Sequence, residues 1–417
     1  MPSSPLITSF SGPDPKPKSV ESRIYYLDGL RALMMISVVF AHAAMSFAVK
    51  APSGWAALDR SRSLVFDLVI FLIASFAMQL FFFLAGFFSI LIIQKKGIMT
   101  FAISRWNRII VPFLLAVVTV LPLLQIVGLY GTYKKSVVPQ SEPFWTTVKN
   151  YFTNGIRFSE LNLGHLWFLL YLTIVTVCFI LTIVISRRLK INRLLDSSVK
   201  KLNASPAKPL LLAIPTAALM HLMNWMIDTP SRLLPEWHIV AYYVYFFFMG
   251  ALYIRVKESF TQPQKYWKLY LILSLLVTSP ATLGLIMKAS YSPDMKTSSF
   301  YSWATLTCAL STWFMIFGII GLSQRRLSKP TKALNYLSEA SLWLYIIHFP
   351  IVLYLQVVVM HWQLPVLLKF LFVLIFSFVI MLGSYEFLVR RTFLGVILNG
   401  RKFAKSSRGN PDQTMLA

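Results

Sequence analysis

The chain has 417 residues, of which 57% are hydrophobic and only 13% charged, with a formal net charge of +25. Apolar runs of 18 or more recur along it, so the composition excludes an ordinary soluble domain and indicates a polytopic membrane protein. The basic excess is not a nucleic-acid signature, because the lysines and arginines are spread over the connections between apolar runs in an alternating pattern.

The first 20 residues are rich in Pro and Ser and lack an apolar h-region, so no cleavable signal peptide is expected, and residues 1–22 read as a disordered cytoplasmic segment. Ten spans follow, near 30–49, 66–94, 110–130, 165–186, 209–227, 237–256, 267–287, 300–322, 338–360 and 365–388, giving an all-α membrane helix bundle over 23–392. A basic cytoplasmic tail, 393–417, closes the chain and is expected to be disordered from Gly400. Alternate connections and both ends carry 29 of the 40 Lys and Arg, so the positive-inside rule places both termini in the cytoplasm. On this topology the cluster Arg187, Arg188, Lys190, Arg193, Lys200 and Lys201 is a cytoplasmic loop.

The first span, within YYLDGLRALMMISVVFAHAAMSF, carries Arg31 and His42. Eleven helical steps return to within about 20° of the starting direction and rise roughly 16 Å, so both side chains share one face. Ionisable groups on a membrane helix usually face protein or a watery cavity, so the pair indicates a polar route part-way across the bilayer. The second span is over-long and is expected to tilt or to begin as an interfacial turn, with Asp67 close to water near its start. Gln79 lies in its middle, with Gly86 placed to allow close helix approach.

Arg105 and Arg108, spaced i,i+3 ahead of Pro112, could meet one anionic group or act as membrane anchors. Cys178 and Cys308 lie in different spans without metal or disulfide spacing and read as packing residues; no metal site is expected. His42 falls in the outer half of the membrane core, His165 opens the fourth span at the outer edge, and His348 lies near mid-depth in the ninth, two residues before Pro350, which bends or unwinds the helix. Either His165 or His348 could be an interhelical hydrogen-bonding residue. His221, His238 and His361 read as structural. Glu386 could pair with Arg31 or Arg108 across the bundle, or with Arg390 at i,i+4. Trp55, Phe144, Trp145, Trp237 and Trp362 fall in or beside outer connections, as sugar-stacking faces or as an interfacial belt. The outer loop 131–164 carries Lys134, Lys135, Lys149 and Arg157 and could recruit an anionic acceptor or cap the bundle.

The Arg31-to-His42 spacing, the LDGLRA lead-in, the FFFLAGFFS run after Gln79, the arginine pair before Pro112, HLWFL at His165 and YIIHFP at His348 together resemble the acyltransferase-3 family of multispan membrane proteins. MQLFFFLAGFFS and ASLWLYIIHFP look most like its glucan biosynthesis protein C branch, thought to succinylate periplasmic glucans. The resemblance implies a bacterial inner-membrane enzyme with no permanently bound cofactor. Its donor would be a cytoplasmic acyl-CoA (succinyl-CoA or acetyl-CoA), and its acceptor the hydroxyl of an extracytoplasmic glycan. No extracytoplasmic SGNH-type domain follows the tenth span, so the membrane domain is expected to make the transfer unaided.

On that reading His42 is the base or the nucleophile, and Arg31 holds the donor deeper in the same tunnel. Arg105 and Arg108 meet its phosphates, while His165 and His348 orient His42 or polarise the thioester carbonyl. A proton-coupled transporter or flippase and a non-catalytic envelope scaffold are the competing classes. The oligomeric state is not legible.

Overall fold

The computed structural model describes residues 25–51, 54–135, 143–153, 162–189, 205–223, 230–253, 258–279, 283–284, 299–329 and 331–399. Among these residues the protein is helical, without strands; an isolated β-bridge joins Asn162 to Arg232. Helices α1 (Tyr25–Ala44), α2 (Leu64–Ala74), α3 (Ala77–Arg105), α4 (Val111–Lys135), α5 (Phe144–Thr153), α6 (Trp167–Leu189) and α7 (Lys208–His221) lead into α8 (Trp237–Tyr253), α9 (Glu258–Val277), α10 (Ser299–Arg326), α11 (Lys332–Val359), α12 (Val366–Ser384) and α13 (Phe393–Asn399). Among the described residues six stretches are long and apolar enough to cross a membrane: Tyr26–Phe47, Leu64–Lys135, Gly164–Arg188, Tyr301–Arg326, Lys332–Val359 and Val366–Val389. The protein is a multi-pass membrane helix bundle. The predicted N-terminal segment 1–22, Arg157 of the outer loop, the basic residues from Lys190 to Lys201 and the tail from Gly400 lie outside the described residues.

The long Leu64–Lys135 stretch is several helices, and each break has a cause. α2 ends at Ala74 and α3 starts at Ala77, and the buried Thr312 hydroxyl donates to the Ser75 carbonyl between them at 2.7 Å. Asp67 is a correction to the sequence reading. It is 7% exposed and accepts from the backbone N–H groups of Val49 and Lys50, each at 2.8 Å, so it ties down the loop after α1 instead of facing water. Further along, Gly97 (φ 84°, ψ 168°) kinks α3 in a region of backbone space that is essentially glycine's alone. Beyond it, Arg105 Nη2 reaches Ser89 Oγ at 3.4 Å. Residues 16 apart on a straight helix would be separated by about 24 Å, so the kink turns 98–105 back alongside the helix it left. A π-helical turn, Trp106–Ile110, then leads into α4.

Gly86 permits the close approach expected of it, and reciprocally so. A Cβ there would lie 1.8 Å from the Phe247 carbonyl oxygen on α8, and a Cβ on Gly250 would lie 1.8 Å from that of Phe83 on α3. At this crossing the buried Gln79 Nε2 donates to the Tyr242 hydroxyl at 3.1 Å. α1 lies beside α11 with both chains running in the same direction, since Arg31 meets Ser341 and His42 meets His348.

Candidate active site

Two features meet on the α1–α11 pair. The first is a cavity of about 650 Å³ with apolar walls that include Met35, Met78, Phe81 and Phe168 and a charged end formed by Asp28, Arg31, Arg105, Arg108 and Glu339. Arg31 is held by Asp28 at 3.7 Å and donates to Ser341 Oγ at 3.3 Å. Arg105 is placed by the Gly97 kink, with its guanidinium 4.9 Å from the Phe101 ring centre, and Arg108 is presented by the π turn. The sequence anticipated these three arginines, and the structure brings them to one cavity.

The second feature is a cluster of three imidazoles from three segments. The His348 ring lies 4.9 Å from that of His42 and 4.8 Å from that of His165, and Phe349 packs on His42 at 4.9 Å. Helix position alone gave these histidines three different depths. They share one level because the connection before α6 sinks into the bundle. Leu163 is fully buried with its N–H on the Ser231 carbonyl at 2.7 Å, and Gly164, at φ 51°, turns the chain so that His165 points inward. His165 Nε2 then bonds the Ile346 carbonyl of α11 at 2.9 Å. That carbonyl is free because its helical partner would be the N–H of residue 350, and Pro350 has none. α11 continues through Pro350 instead of unwinding there. The buried Tyr345 hydroxyl returns the contact by donating to the His165 carbonyl.

The hydrogen bonds fix the proton positions. Carbonyl oxygens only accept, so the bonded nitrogen of each neutral ring carries its one proton: Nδ1 of His42 on the Val38 carbonyl (2.9 Å), Nδ1 of His348 on the Tyr345 carbonyl (2.7 Å), and Nε2 of His165. The remaining nitrogens, Nε2 of His42, Nε2 of His348 and Nδ1 of His165, are therefore lone pairs. Those of His348 and His165 are buried without a partner among the described residues. The arrangement offers lone pairs that can accept a proton. Among the described residues no group of three or more His, Cys, Asp and Glu is arranged to hold a metal ion. Tyr345 joins the two features, because it lines the cavity and its ring lies 5.4 Å from that of His165.

The profile of the acyltransferase-3 family, described as an acyltransferase domain, matches residues 24–386, nearly all of the helical chain. The chain belongs to the acyltransferase-3 family. It is similar to "Glucans biosynthesis protein C" of Escherichia coli O81 (strain ED1a), with 24% identity over 392 residues covering 92% of this chain and 96% of the relative. To the protein of the same name from Salmonella schwarzengrund (strain CVM19633) it is 26% identical over 401 residues, covering 91% and 95%. No solved structure matches the chain. As a member of this family it is a membrane acyltransferase.

Other residues singled out in this acyltransferase sequence have local roles. Glu386 pairs with Arg390 at 2.9 Å and Arg391 at 3.0 Å, not with Arg31 or Arg108. His361 bonds the Lys134 carbonyl, His238 lies 3.5 Å from Glu236, and His221 packs on Tyr301. Of the five outer aromatics, Trp55 lies against the histidine cluster, its ring 5.5 Å from that of Phe349. Trp145 and Trp237 are exposed, Phe144 packs on Tyr130 and Tyr354, and Trp362 on Phe372.

Sequence reading missed Tyr345, Gln356 and the buried ion pair Asp59–Lys369, whose Nζ lies 2.6 Å from the carboxylate. A usable signal was present for two of them, since a Gln and a Lys inside apolar spans are expensive without a partner.

Proposed function

We propose that this acyltransferase moves an acyl group, succinyl in the first instance, from cytoplasmic acyl-CoA to a hydroxyl of an extracytoplasmic glycan such as a periplasmic glucan, in the bacterial inner membrane. The observation that carries the reading is the junction at Tyr345 between an arginine-ended cavity and three imidazoles with free lone pairs. The basic asymmetry of the connections supports a cytoplasmic Arg31 end of α1, on the side where acyl-CoA is found, with the His42 end outward.

Arg105 and Arg108 would face the donor's phosphates, and Arg31 the pantetheine arm, whose length lies along Met35 and Phe168 towards Tyr345. The acceptor hydroxyl loses its proton to Nε2 of His42 as its oxygen attacks the thioester carbonyl. The tetrahedral intermediate then collapses with loss of the thiolate, which takes up the proton. His42 suits the base role because its own N–H is already committed to Val38. Neutral His165 and His348 have likewise committed theirs, so they would orient His42 and share its proton, and either could polarise a carbonyl only once protonated. Glucan as acceptor rests on the name of the relatives, and succinyl as donor group on the resemblance of MQLFFFLAGFFS and ASLWLYIIHFP to the glucan biosynthesis protein C branch.

The test is transfer of labelled acyl groups from succinyl-CoA and acetyl-CoA to periplasmic glucan in membranes carrying the native chain or His42→Ala. Label that depends on His42 supports the reading and names the donor. A folded native chain that labels no acceptor overturns it, and transport assays would then address the flippase alternative.

A further inference from the structure

We propose that Gln356 is the positioning residue of His42, acting through the end of α1; this deepens the reading of His42 as the base. Gln356 lies on α11, fully buried, two turns beyond His348. Its Nε2 donates to the His42 carbonyl at 2.8 Å and to the Ala43 carbonyl at 3.1 Å, and its Oε1 accepts from Trp55 Nε1 at 3.2 Å.

The last four carbonyls of a helix have no partner inside it. At Ala44 α1 passes into a 3₁₀ turn, Met45–Phe47, where its regular ladder ends, and here a side chain from another helix bonds the carbonyls of His42 and Ala43. The orientation of the amide is forced. An indole N–H can only donate and a carbonyl can only accept, so Trp55 holds the oxygen end and α1 the nitrogen end, and a flipped amide would break all three bonds. His42 is thereby tethered twice, through its backbone carbonyl to Gln356 and through its ring to Val38.

The frame behind this contact is rigid. Trp55 packs on Phe349, which packs on the His42 ring. The loop that carries Trp55 is fixed by the buried Asp59–Lys369 pair and by the Ser46 hydroxyl on the Ala57 carbonyl. Removing the amide would leave buried polar groups on both sides unsatisfied, and the last turn of α1 would fray to recover water.

The experiment uses the full chain in lipid nanodiscs, comparing the native protein with Gln356→Met, which fills a similar volume without hydrogen bonds, and the milder Trp55→Phe, which keeps a ring but removes the N–H that orients the amide. Hydrogen exchange over 42–48 is read beside the kinetics. For Gln356→Met we expect exchange in that segment to rise at least tenfold, with the other helices within twofold of native. We expect kcat to fall about 10- to 100-fold with the donor KM within twofold. Trp55→Phe should give a smaller change of the same kind and serves as the readable variant if Gln356→Met does not fold. Unchanged exchange over 42–48 overturns the proposal, as does exchange that rises throughout the bundle while kcat stays native, the mark of plain helix packing. A native chain that transfers no acyl group removes the base reading, and the exchange measurement still decides whether Gln356 fixes His42's end of α1.

Discussion

His165 takes the place in the hydrogen-bond ladder of α11 that Pro350 leaves open. The Ile346 carbonyl, without an N–H four residues on, accepts instead from Nε2 of His165 on another segment. The proline is thus what fixes the tautomer of the third histidine and leaves its Nδ1 as a buried lone pair. Pro350→Ala restores the missing N–H and sets it in competition with His165. The expected result is a thermal midpoint equal to or above that of the native protein, with acyl transfer at least tenfold lower. Equal transfer in the two proteins would show that His165 needs no such anchor.

Gly97 carries the cavity's charged end in the same indirect way. Its φ of 84° with ψ of 168° is a region that other residues enter only at a cost of about 1–3 kcal/mol. A Cβ added there meets nothing within 4 Å, so the penalty of Gly97→Ala is conformational and not steric. Relief of the strain straightens α3 and withdraws Arg105 from Ser89. A rise of threefold or more in the donor KM, with a smaller change in kcat, is expected from steady-state kinetics with the CoA donor varied. The opposite split, kcat falling at constant KM, would place Gly97 outside donor binding.

How much of this was legible in the chain differs between fold and site. Each of the ten expected spans overlaps a helix, because span length and hydrophobicity are local properties. The breaks at Ser75 and Gly97 were not foreseen, since they depend on a hydroxyl from α10 and on one dihedral angle. Arg31, His42, Arg105, Arg108, His165 and His348 could be named because ionisable groups in apolar runs are conspicuous. Apart from the shared face of Arg31 and His42, their assembly was implied by the family resemblance and not by their positions in the helices. The level of His165 is set by a buried loop that helix counting treats as surface, and Asp67 and Glu386 found partners a few residues or one loop away. Gln356 was passed over although Gln79, the same residue type in another apolar span, was not, and the three hydrogen bonds of Gln356 tie α11 to the end of α1 and to Trp55.

The α3–α8 crossing offers a test of packing alone. Gly86 and Gly250 each face a carbonyl of the other helix so closely that no Cβ fits, and backbone rather than a yielding side chain is what it would strike. Gly86→Val or Gly250→Val should therefore lower the yield of folded protein and its thermal midpoint sharply. Gly128→Ala, where a Cβ meets nothing within 4 Å, should leave both unchanged or slightly raised. Size-exclusion profiles in detergent with a thermal scan check this, and a tolerated valine at both α3–α8 positions would mean that the helices can separate without loss.

Asp59 and Lys369 make the strongest energetic prediction, because both side chains are almost wholly buried, at 0% and 2% exposure, and pair at 2.6 Å. Two charges removed from water are repaid by their mutual attraction only while both are present, so stripping one leaves the other uncompensated. Asp59→Asn and Lys369→Met should each destabilise by about 3–5 kcal/mol, the range found when one partner of a buried pair is deleted. The double replacement Asp59→Leu with Lys369→Met removes both charges together and should recover most of that loss. Recovered stability need not bring recovered activity. The carboxylate also accepts from the Ser61 N–H at 2.8 Å, and the ammonium reaches the Trp362 carbonyl at 3.3 Å, so the pair shapes the loop that holds Trp55 against the histidines. A double variant that is stable yet slow in acyl transfer would locate the pair's contribution in that loop. One that is as unstable as the single variants would mean that the packing around Lys369, and not its charge, is what the fold requires.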